Sequence, residues 1–412
     1  MYLTKNKRNI RLKKKFQKFK FVKILNPRNI KKYFLSFINI IKIYFITNKL
    51  YKKNKSLKFI FFYFSVKAYQ ENILELVDKL NKTKNIKVFL IYNSETSKEL
   101  KLKKNSFFID FGYFRFVPLV NFLLSKINFI ISTYVIYNFL PKSINIYINH
   151  DIYDTPMVNK EIEKKLFFEM SKLDYIFVST DILKDYFNKK FIEYSKLKKE
   201  SKTKIINTGY LKLDHVFREV KKIKNKKKHI LIAPTACKHY KAINLSTKLS
   251  KTINYLLKKK YEVIYRPHPI DLTKRGNYNL VKKINNNFKK NDNFFLDKST
   301  SYLESYSKSF ILITDFSGTA YTYAFSQNKP VIFFSMNEKK LFRKKLLNLY
   351  YFKDRKKIGF VVKNFSNLHN NLKKIKNNKS LFIEKIDRLK KKRIINFGNS
   401  LNVTKTAIES ML

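Results

Sequence analysis

Residues 310–334 read FILITDFSGTAYTYAFSQNKPVIFF, and the fold turns on how that stretch divides. Phe310–Thr314 and Pro330–Phe334 are short apolar runs, and Tyr321–Gln327 between them has the composition of a helix. An apolar run of about five residues without polar alternation suits a strand covered on both faces. Strand, helix and strand in that order make a parallel βαβ unit, because parallel neighbours need a crossover. The connecting turn, Asp315-Phe316-Ser317-Gly318-Thr319, places two hydroxyls and a glycine where a helix starts. Backbone amides and the helix dipole favour an anion there. An ordinary N-cap on Asp315 or Ser317 is the competing reading.

Working outward, the same alternation recurs on both sides. Downstream of residue 229 the strands are His229–Ala233, Tyr261–Tyr265, Asn293–Leu296 and the two above, a series expected to fill a nucleotide-donor domain over 229–372. Upstream, Lys58–Ser65, Lys87–Tyr92, Ile127–Ile131, Ile144–Ile148 and Tyr175–Ser179, with a helix at Gln70–Asn81, make an acceptor domain over 57–219. The charged stretch VKKIKNKKK at 220–228 reads as a linker, and 373–412 as a basic helical region bracing the lobes. The expected architecture is α/β: two Rossmann-type domains with parallel sheets facing a cleft, an arrangement that binds nucleotides. No repeat of about 20–50 residues is visible.

Composition bounds the rest. A chain of 412 residues is long enough for two cores, and 44% hydrophobic with 16% aromatic residues excludes intrinsic disorder. One cysteine, Cys237, excludes a disulfide framework and a multi-thiolate zinc site, so a reducing interior is expected. The first twenty residues lack the apolar run of a secretory signal. The net charge of +60 attracts polyanions: nucleic acid, an anionic membrane or phosphorylated substrates. A wealth of Lys, Asn, Ile, Phe and Tyr beside six glycines and no tryptophan is also what AT-rich codons produce, so solvated lysine faces account for the charge equally well. Residues 1–56 hold a basic arm and Tyr33–Ile46 (YFLSFINIIKIYFI), a short apolar helix too short to span a bilayer and interrupted by Lys42. It suits the interface of an anionic leaflet, or packing on the first domain.

The chain has no GxGxxG, P-loop, GxSxG or HExxH signature, so phosphate must be held by helix starts, hydroxyls and basic residues. Beside the 317–319 turn, two places qualify. Tyr265-Arg266-Pro267-His268-Pro269 follows a strand, and its prolines fix the backbone around one histidine beside an arginine. His268 could bind phosphoryl oxygens or protonate a leaving group, with Arg266 neutralising charge; a structural turn histidine is the alternative. Asn149-His150-Asp151-Ile152-Tyr153-Asp154-Thr155-Pro156 follows Ile144–Ile148, and a histidine with two nearby carboxylates is the makeup of a general base for an alcohol. Alternatively Asp151 and Asp154 cap a helix and His150 packs. No recurring metal-ligand spacing appears, so neither metal nor cofactor is expected. Ala233-Pro234-Thr235 and Asn207–Asp214 end strands in matching places. The remaining histidines, His215, His229, His239 and His369, read as packed or solvated, and Cys237 as inert.

In order, His150 to Thr155-Pro156, Thr208-Gly209 with Asp214, Ala233-Pro234-Thr235, Arg266-Pro267-His268-Pro269, and Ile313-Thr314-Asp315-Phe316-Ser317 with Lys329-Pro330-Val331-Ile332-Phe333 resemble the CDP-glycerol glycerophosphotransferase family. These are teichoic-acid primases and polymerases of GT-B fold, and the resemblance covers about residues 58–400. It implies that His150 deprotonates an acceptor hydroxyl, that His268 holds donor phosphate or steadies the leaving group, and that Ser317 and Thr319 bind the diphosphate with Gly318 between them. Arg266 is added by proximity, and Asp151, Asp154, Thr235 and Asp315 as supporting groups. Two departures stand out. Asp151 takes the place of a glycine, with Ile152–Asp154 inserted before Thr155, and Gly318 takes the place of a serine. The resemblance further implies CDP-glycerol or a related nucleotide-activated donor, release of CMP, and a polyanionic or lipid-linked glycan acceptor. It also implies a cytoplasmic location, peripheral on the anionic inner face of the plasma membrane, and nucleic acid is not an expected partner. The alternatives are a GT-B glycosyltransferase using a nucleotide sugar, which would release a nucleoside diphosphate, and a non-catalytic nucleic-acid-binding protein with a continuous basic stripe.

Overall fold

A computed structural model of the chain describes residues 27–64, 71–93, 105–111, 114, 117–133, 140, 142–154, 160–195, 202–224, 228–237, 245–273, 276–335 and 346–412. The basic arm before residue 27, Thr155, Pro156, His239 and the 225–227 part of the expected linker lie outside the described residues.

Thirteen strands are described, in two sheets. The first sheet holds β1 (Lys58–Phe64), β2 (Ile86–Tyr92), β3 (Ser106–Phe108), β4 (Ile127–Ser132), β5 (Ile144–Ile148), β6 (Tyr175–Val178) and β7 (Lys204–Asn207), in the order β3-β2-β1-β4-β5-β6-β7. The second holds β8 (His229–Ile232), β9 (Val263–Tyr265), β10 (Phe294–Leu296), β11 (Ser309–Thr314), β12 (Val331–Phe334) and β13 (Gly359–Val362), in the order β10-β9-β8-β11-β12-β13. The described pairings are parallel; β11 runs beside β8 with Leu312 opposite Leu231, and beside β12 with Ile313 opposite Ile332. Both sheets therefore have the doubly wound strand order, and the α/β expectation holds. In the second sheet the order reverses between β8 and β11. Loops leaving the carboxyl ends of strands at such a reversal diverge to opposite faces and leave a crevice.

The central strands are buried on both faces, which is why they read as unbroken apolar runs: all of β8 and β12, and β1 beyond Lys58, are buried. Three short strands, β3, β7 and β13, escaped the pattern because they lie at sheet edges, where half-exposed positions need not be apolar. The helix Leu211–Lys222 takes in the first three residues of the expected linker.

By compactness the chain divides into one unit built on Val77–Ile146 with the chain before Lys67, and another built on Tyr147–Met411 with Ala68–Leu76. In the first unit, the helix Pro27–Lys53 extends well past the Tyr33–Ile46 stretch. It buries Ile40 and Ile43 in a core with Phe59, Phe61, Phe89 and Ile130. In the second, one continuous core runs from Tyr153 and Leu213 through β8, β9, β11 and β12 to Ile386 and Ile394. Every candidate site residue belongs to this second unit.

Candidate active site

The turn after β5 is held in place by its neighbours' hydroxyls and amides. Asp151 N donates to Asn149 Oδ1 at 2.7 Å, Ser179 Oγ donates to the Asp151 carbonyl at 2.9 Å, and Thr180 Oγ1 to that of Ile152 at 3.0 Å. Tyr210 Oη donates to the His150 carbonyl. The His150 ring has Nδ1 3.1 Å from Tyr147 Oη, whose oxygen also accepts from Asn149 Nδ2 at 3.4 Å. On its other side Nε2 lies 4.0 Å from Asp151 Oδ2. In the tautomer whose Nδ1–H donates to Tyr147 Oη, Nε2, on the Asp151 side of the ring, is the basic nitrogen.

Asp154 belongs to the scaffold. Its buried carboxylate accepts from the amides of Tyr350 and Tyr351 at 3.2 and 3.1 Å, and burial raises its pKa against those bonds. Next to it, Tyr153 Oη donates to Asp354 Oδ2 at 2.9 Å. Arg393 Nε and Lys357 Nζ reach the same carboxylate at 2.8 and 2.7 Å. Burial alone would raise the Asp354 pKa, but these three donors outweigh it and the group is lowered.

At the reversal in the second sheet, Asp315 is fully buried and accepts from the amides of Thr235 at 2.9 Å, Leu245 at 2.6 Å and Phe316 at 2.7 Å. Burial raises its pKa too. Asp315 thus ties the Thr235 loop to the end of β11 and leaves the hydroxyl turn to face outward. Ser317 and Thr319 are half-buried, Gly318 is exposed, and the helix Thr319–Gln327 starts at Gly318 without a side-chain cap. Thr319 Oγ1 pairs with Tyr306 Oη at 2.9 Å, and the Ser317 carbonyl accepts from Tyr351 Oη at 3.1 Å. Of the two residues expected as N-caps, Ser317 Oγ accepts from the Thr319 amide at 3.4 Å at the helix start, whereas Asp315 is spent on the Thr235 and Leu245 amides.

His268 stands after β9 with Nδ1 accepting from Ile270 N at 3.2 Å. Accepting a backbone N–H requires a lone pair on Nδ1, so the neutral ring carries its proton on Nε2 as a donor. Arg266 is committed elsewhere: its guanidinium meets Asp297, the Ser301 carbonyl at 3.0 Å and the Thr300 carbonyl at 3.2 Å. It holds the 297–301 loop, the structural alternative to the charge-neutralising role expected for it. Burial would raise the Asp297 pKa, yet Arg266 with Ser299 and Ser305 lowers it.

The structure brings the first and last of these turns together. A small pocket is lined by Asp151, Ile152, Tyr153, Phe316, Gly318, Tyr321 and Tyr351. A Cβ placed on Gly318 would sit 3.3 Å from Asp151 Oδ1. The rings of Tyr153 and Tyr321 pack with centroids 4.2 Å apart beneath it.

One neighbouring residue carried little signal in the sequence. Lys212 is the second residue of the helix Leu211–Lys222, which packs on Thr319–Gln327, and lies over the Tyr302 ring at 4.9 Å. Burial lowers its pKa to about 8, with Asp151 working against that shift and Arg266 adding to it. It read only as an interior letter of the Thr208–Asp214 motif, whose other members turn out to be structural. Gly209, at φ +93°, leaves no room for a side chain, since a Cβ there would stand 2.8 Å from the Ile395 carbonyl oxygen. Asp214 accepts from the amides of Gly398 and Ser400 at 2.8 and 3.0 Å. Cys237 is buried and its thiol is pushed up to about 12, mainly by burial and then by Asp271, which leaves it unreactive. Among the described residues no group of His, Cys, Asp and Glu is arranged to hold a metal ion.

A family model described as CDP-glycerol:poly(glycerophosphate) glycerophosphotransferase matches residues 43–399. No curated protein matches the chain. Among solved structures, the wall teichoic acid polymerase TagF is similar at TM-score 0.61 and 18% identity, over 97% of this chain and 97% of that one. A UDP-GlcNAc 2-epimerase from Neisseria meningitidis, solved with UDP-GlcNAc, is similar at 0.54 and 13%, over 86% of this chain and 99% of its own. The S. aureus MnaA–UDP co-structure follows at 0.52 and 12%, over 85% and 95%. At such identities these likenesses establish the fold, the GT-B-like α/β arrangement of two parallel sheets.

Proposed function

This chain belongs to the CDP-glycerol:poly(glycerophosphate) glycerophosphotransferase family and is a transferase, and we propose that it passes glycerophosphate from CDP-glycerol to a hydroxyl of a lipid-linked, teichoic-acid-type glycan. The observation that supports this reading beyond family membership is that Asp151, next to His150, and Gly318, between Ser317 and Thr319, line one pocket. His150 Nε2 takes the proton of the acceptor hydroxyl as its oxygen attacks the phosphorus distal to the nucleoside. The bond from that phosphorus to the bridging oxygen breaks and CMP leaves. The 317–319 turn at the head of its helix steadies the phosphoryl charge, and Nε2–H of His268 donates to a phosphate oxygen. Such a transfer is governed by positioning and electrostatics. Incubating the protein with CDP-glycerol and a glycan acceptor, and separately with nucleotide sugars, tests it: CMP is the expected product of the first. A nucleoside diphosphate released from a nucleotide sugar, with CDP-glycerol untouched, refutes it.

The proposal includes a peripheral place on an anionic membrane at the cytoplasmic face. Among the described residues no helix is long and apolar enough to cross a bilayer. The helix Pro27–Lys53 nevertheless exposes Phe34, Leu35, Ile38 and Phe45, which with exposed Lys31, Lys42 and Lys49 form one stripe stepping by three to four residues. Phe122, 63% exposed on the helix Pro118–Leu123, extends the stripe beside Tyr44. Apolar rings flanked by lysines match the depth and charge of a leaflet interface. Phe34→Ser, Phe45→Ser and Phe122→Ser combined are expected to weaken sedimentation with anionic vesicles at least about tenfold, since each phenylalanine contributes about 1.5–3 kcal/mol when buried. Turnover of a soluble acceptor should persist; unchanged vesicle binding removes the membrane assignment.

A further inference from the structure

Lys212 stands where a lysine is costly to the fold. As the second residue of the helix Leu211–Lys222 it adds charge to the positive end of a helix dipole, and the acid of that first turn, Asp214, is taken up by the amides of Gly398 and Ser400. Three other lysines drawn out of solvent are answered by oxygens. Lys190 meets Glu163 and Glu193 at 3.1 and 2.9 Å, Lys329 the Tyr306 carbonyl at 2.8 Å, and Lys390 both Asp387 and Asn328 Oδ1 at 3.1 Å. Among the described residues no oxygen answers Lys212 in this way; its half-buried ammonium rests on the face of the Tyr302 ring. Its neighbours converge from three strand ends, all within the second unit. Asp151, after β5, and Arg266, after β9, act on it electrostatically. The Tyr302 ring lies 5.1 Å from that of Tyr306, whose hydroxyl meets Thr319 Oγ1 at 2.9 Å in the turn after β11. Arg266 is spent on the 297–301 loop, whereas the Lys212 ammonium keeps its donors for a ligand. A cation kept at a cost to folding suits an anion that arrives with substrate. The anion that must reach the His150–Asp151 turn and the Thr319 turn at once is the phosphoryl group being transferred.

Resting on the transfer reaction above, we propose that Lys212 is a catalytic residue whose ammonium binds the transferred phosphoryl group between the His150 turn and the Ser317–Thr319 turn. It donates to a nonbridging oxygen on the phosphorus distal to the nucleoside. Its charge steadies that group as the acceptor oxygen bonds to phosphorus and the bond to the departing CMP oxygen breaks.

The test compares the full-length wild-type chain with Lys212→Met and Lys212→Arg in three measurements: calorimetric binding of CDP-glycerol and of CMP, which lacks the distal phosphate, single-turnover CMP release, and the urea midpoint. Lys212→Met should weaken CDP-glycerol about tenfold, as loss of a hydrogen bond to a charged group does, and leave CMP within about twofold. CMP release should slow about 10²- to 10³-fold. Lys212→Arg, which keeps the charge, should hold donor affinity within about fivefold. The urea midpoint of Lys212→Met should rise, because a desolvated charge has left a helix start. A fallen midpoint with both ligands weakened makes Lys212 scaffold and overturns the proposal. Equal weakening of CDP-glycerol and CMP overturns it in favour of a contact to the nucleoside-proximal phosphate, and unchanged binding and release overturn it outright; in each case the transfer reaction stands. If the wild type binds neither ligand, the transfer reaction itself fails and this role with it.

Discussion

The turns that follow β5 and β11 are built on the same plan and put their acidic residues to different uses. Each leaves the carboxyl end of a buried parallel strand and contains one carboxylate, Asp154 or Asp315, taken up by backbone amides of other loops. The first turn adds a second carboxylate, Asp151, that faces the pocket; the second offers Gly318 in the corresponding contact. The difference shows that a carboxylate's role follows from what surrounds it. An oxygen answering two or three amides orients loops, whereas the Asp151 carboxylate lines the pocket with Oδ2 4.0 Å from His150 Nε2.

The strongest way to break that comparison acts on the proton acceptor that Asp151 adjoins. His150→Ala is expected to lower CMP release about 10²- to 10⁴-fold, the usual contribution of a general base, while calorimetric donor affinity stays within about twofold. Lost donor affinity instead would make His150 a binding residue and dissolve the division between the turns.

Stability separates the carboxylates next. Asp315→Ala orphans three amides and should cost roughly 3 kcal/mol, and Asp154→Ala, which orphans two, roughly 2 kcal/mol, read from urea midpoints. Asp151→Asn should move the midpoint by less than about 0.5 kcal/mol. A comparable loss in Asp151→Asn would show that it too is scaffold.

The smallest effect sharpens the electrostatics. Because burial depresses Lys212 to about 8, it is charged below that pH and loses its charge above it. The kcat/KM for donor should hold level up to about pH 8 and decline beyond, and Lys212→Arg should carry that limb upward. Stability moves the other way: unfolded lysine titrates near 10.4, so between about 8 and 10.4 the unfolded chain binds more protons and stability rises with pH. A decline in kcat/KM that Lys212→Arg leaves in place belongs to another group.

Legibility in the sequence tracked burial. Strands β1, β8, β11 and β12 were readable because both faces are covered and each residue had to be apolar. Of the four edge strands only β10 was readable; β3, β7 and β13 were not, since hydrogen bonding to one neighbour places no such demand on side chains. Tyr261–Tyr265 shortened to β9, Val263–Tyr265, after Lys260, which takes a left-handed conformation, φ 60°. Among site residues, His150, His268, Ser317 and Thr319 were recognisable by chemistry at strand ends. Lys212 was not, because one lysine among 89 basic residues carries no local signal.

By itself the sequence determined the alternation of elements, the parallel sheets and the strand ends where chemistry collects, since those depend on local apolar runs and turn residues. Only the tertiary structure decided which aspartate is scaffold and which faces the pocket, that Arg266 serves a loop, and that residues 151 and 318 share one space. Partners from distant segments set the solvation and charge around a side chain, and no short stretch of sequence encodes them.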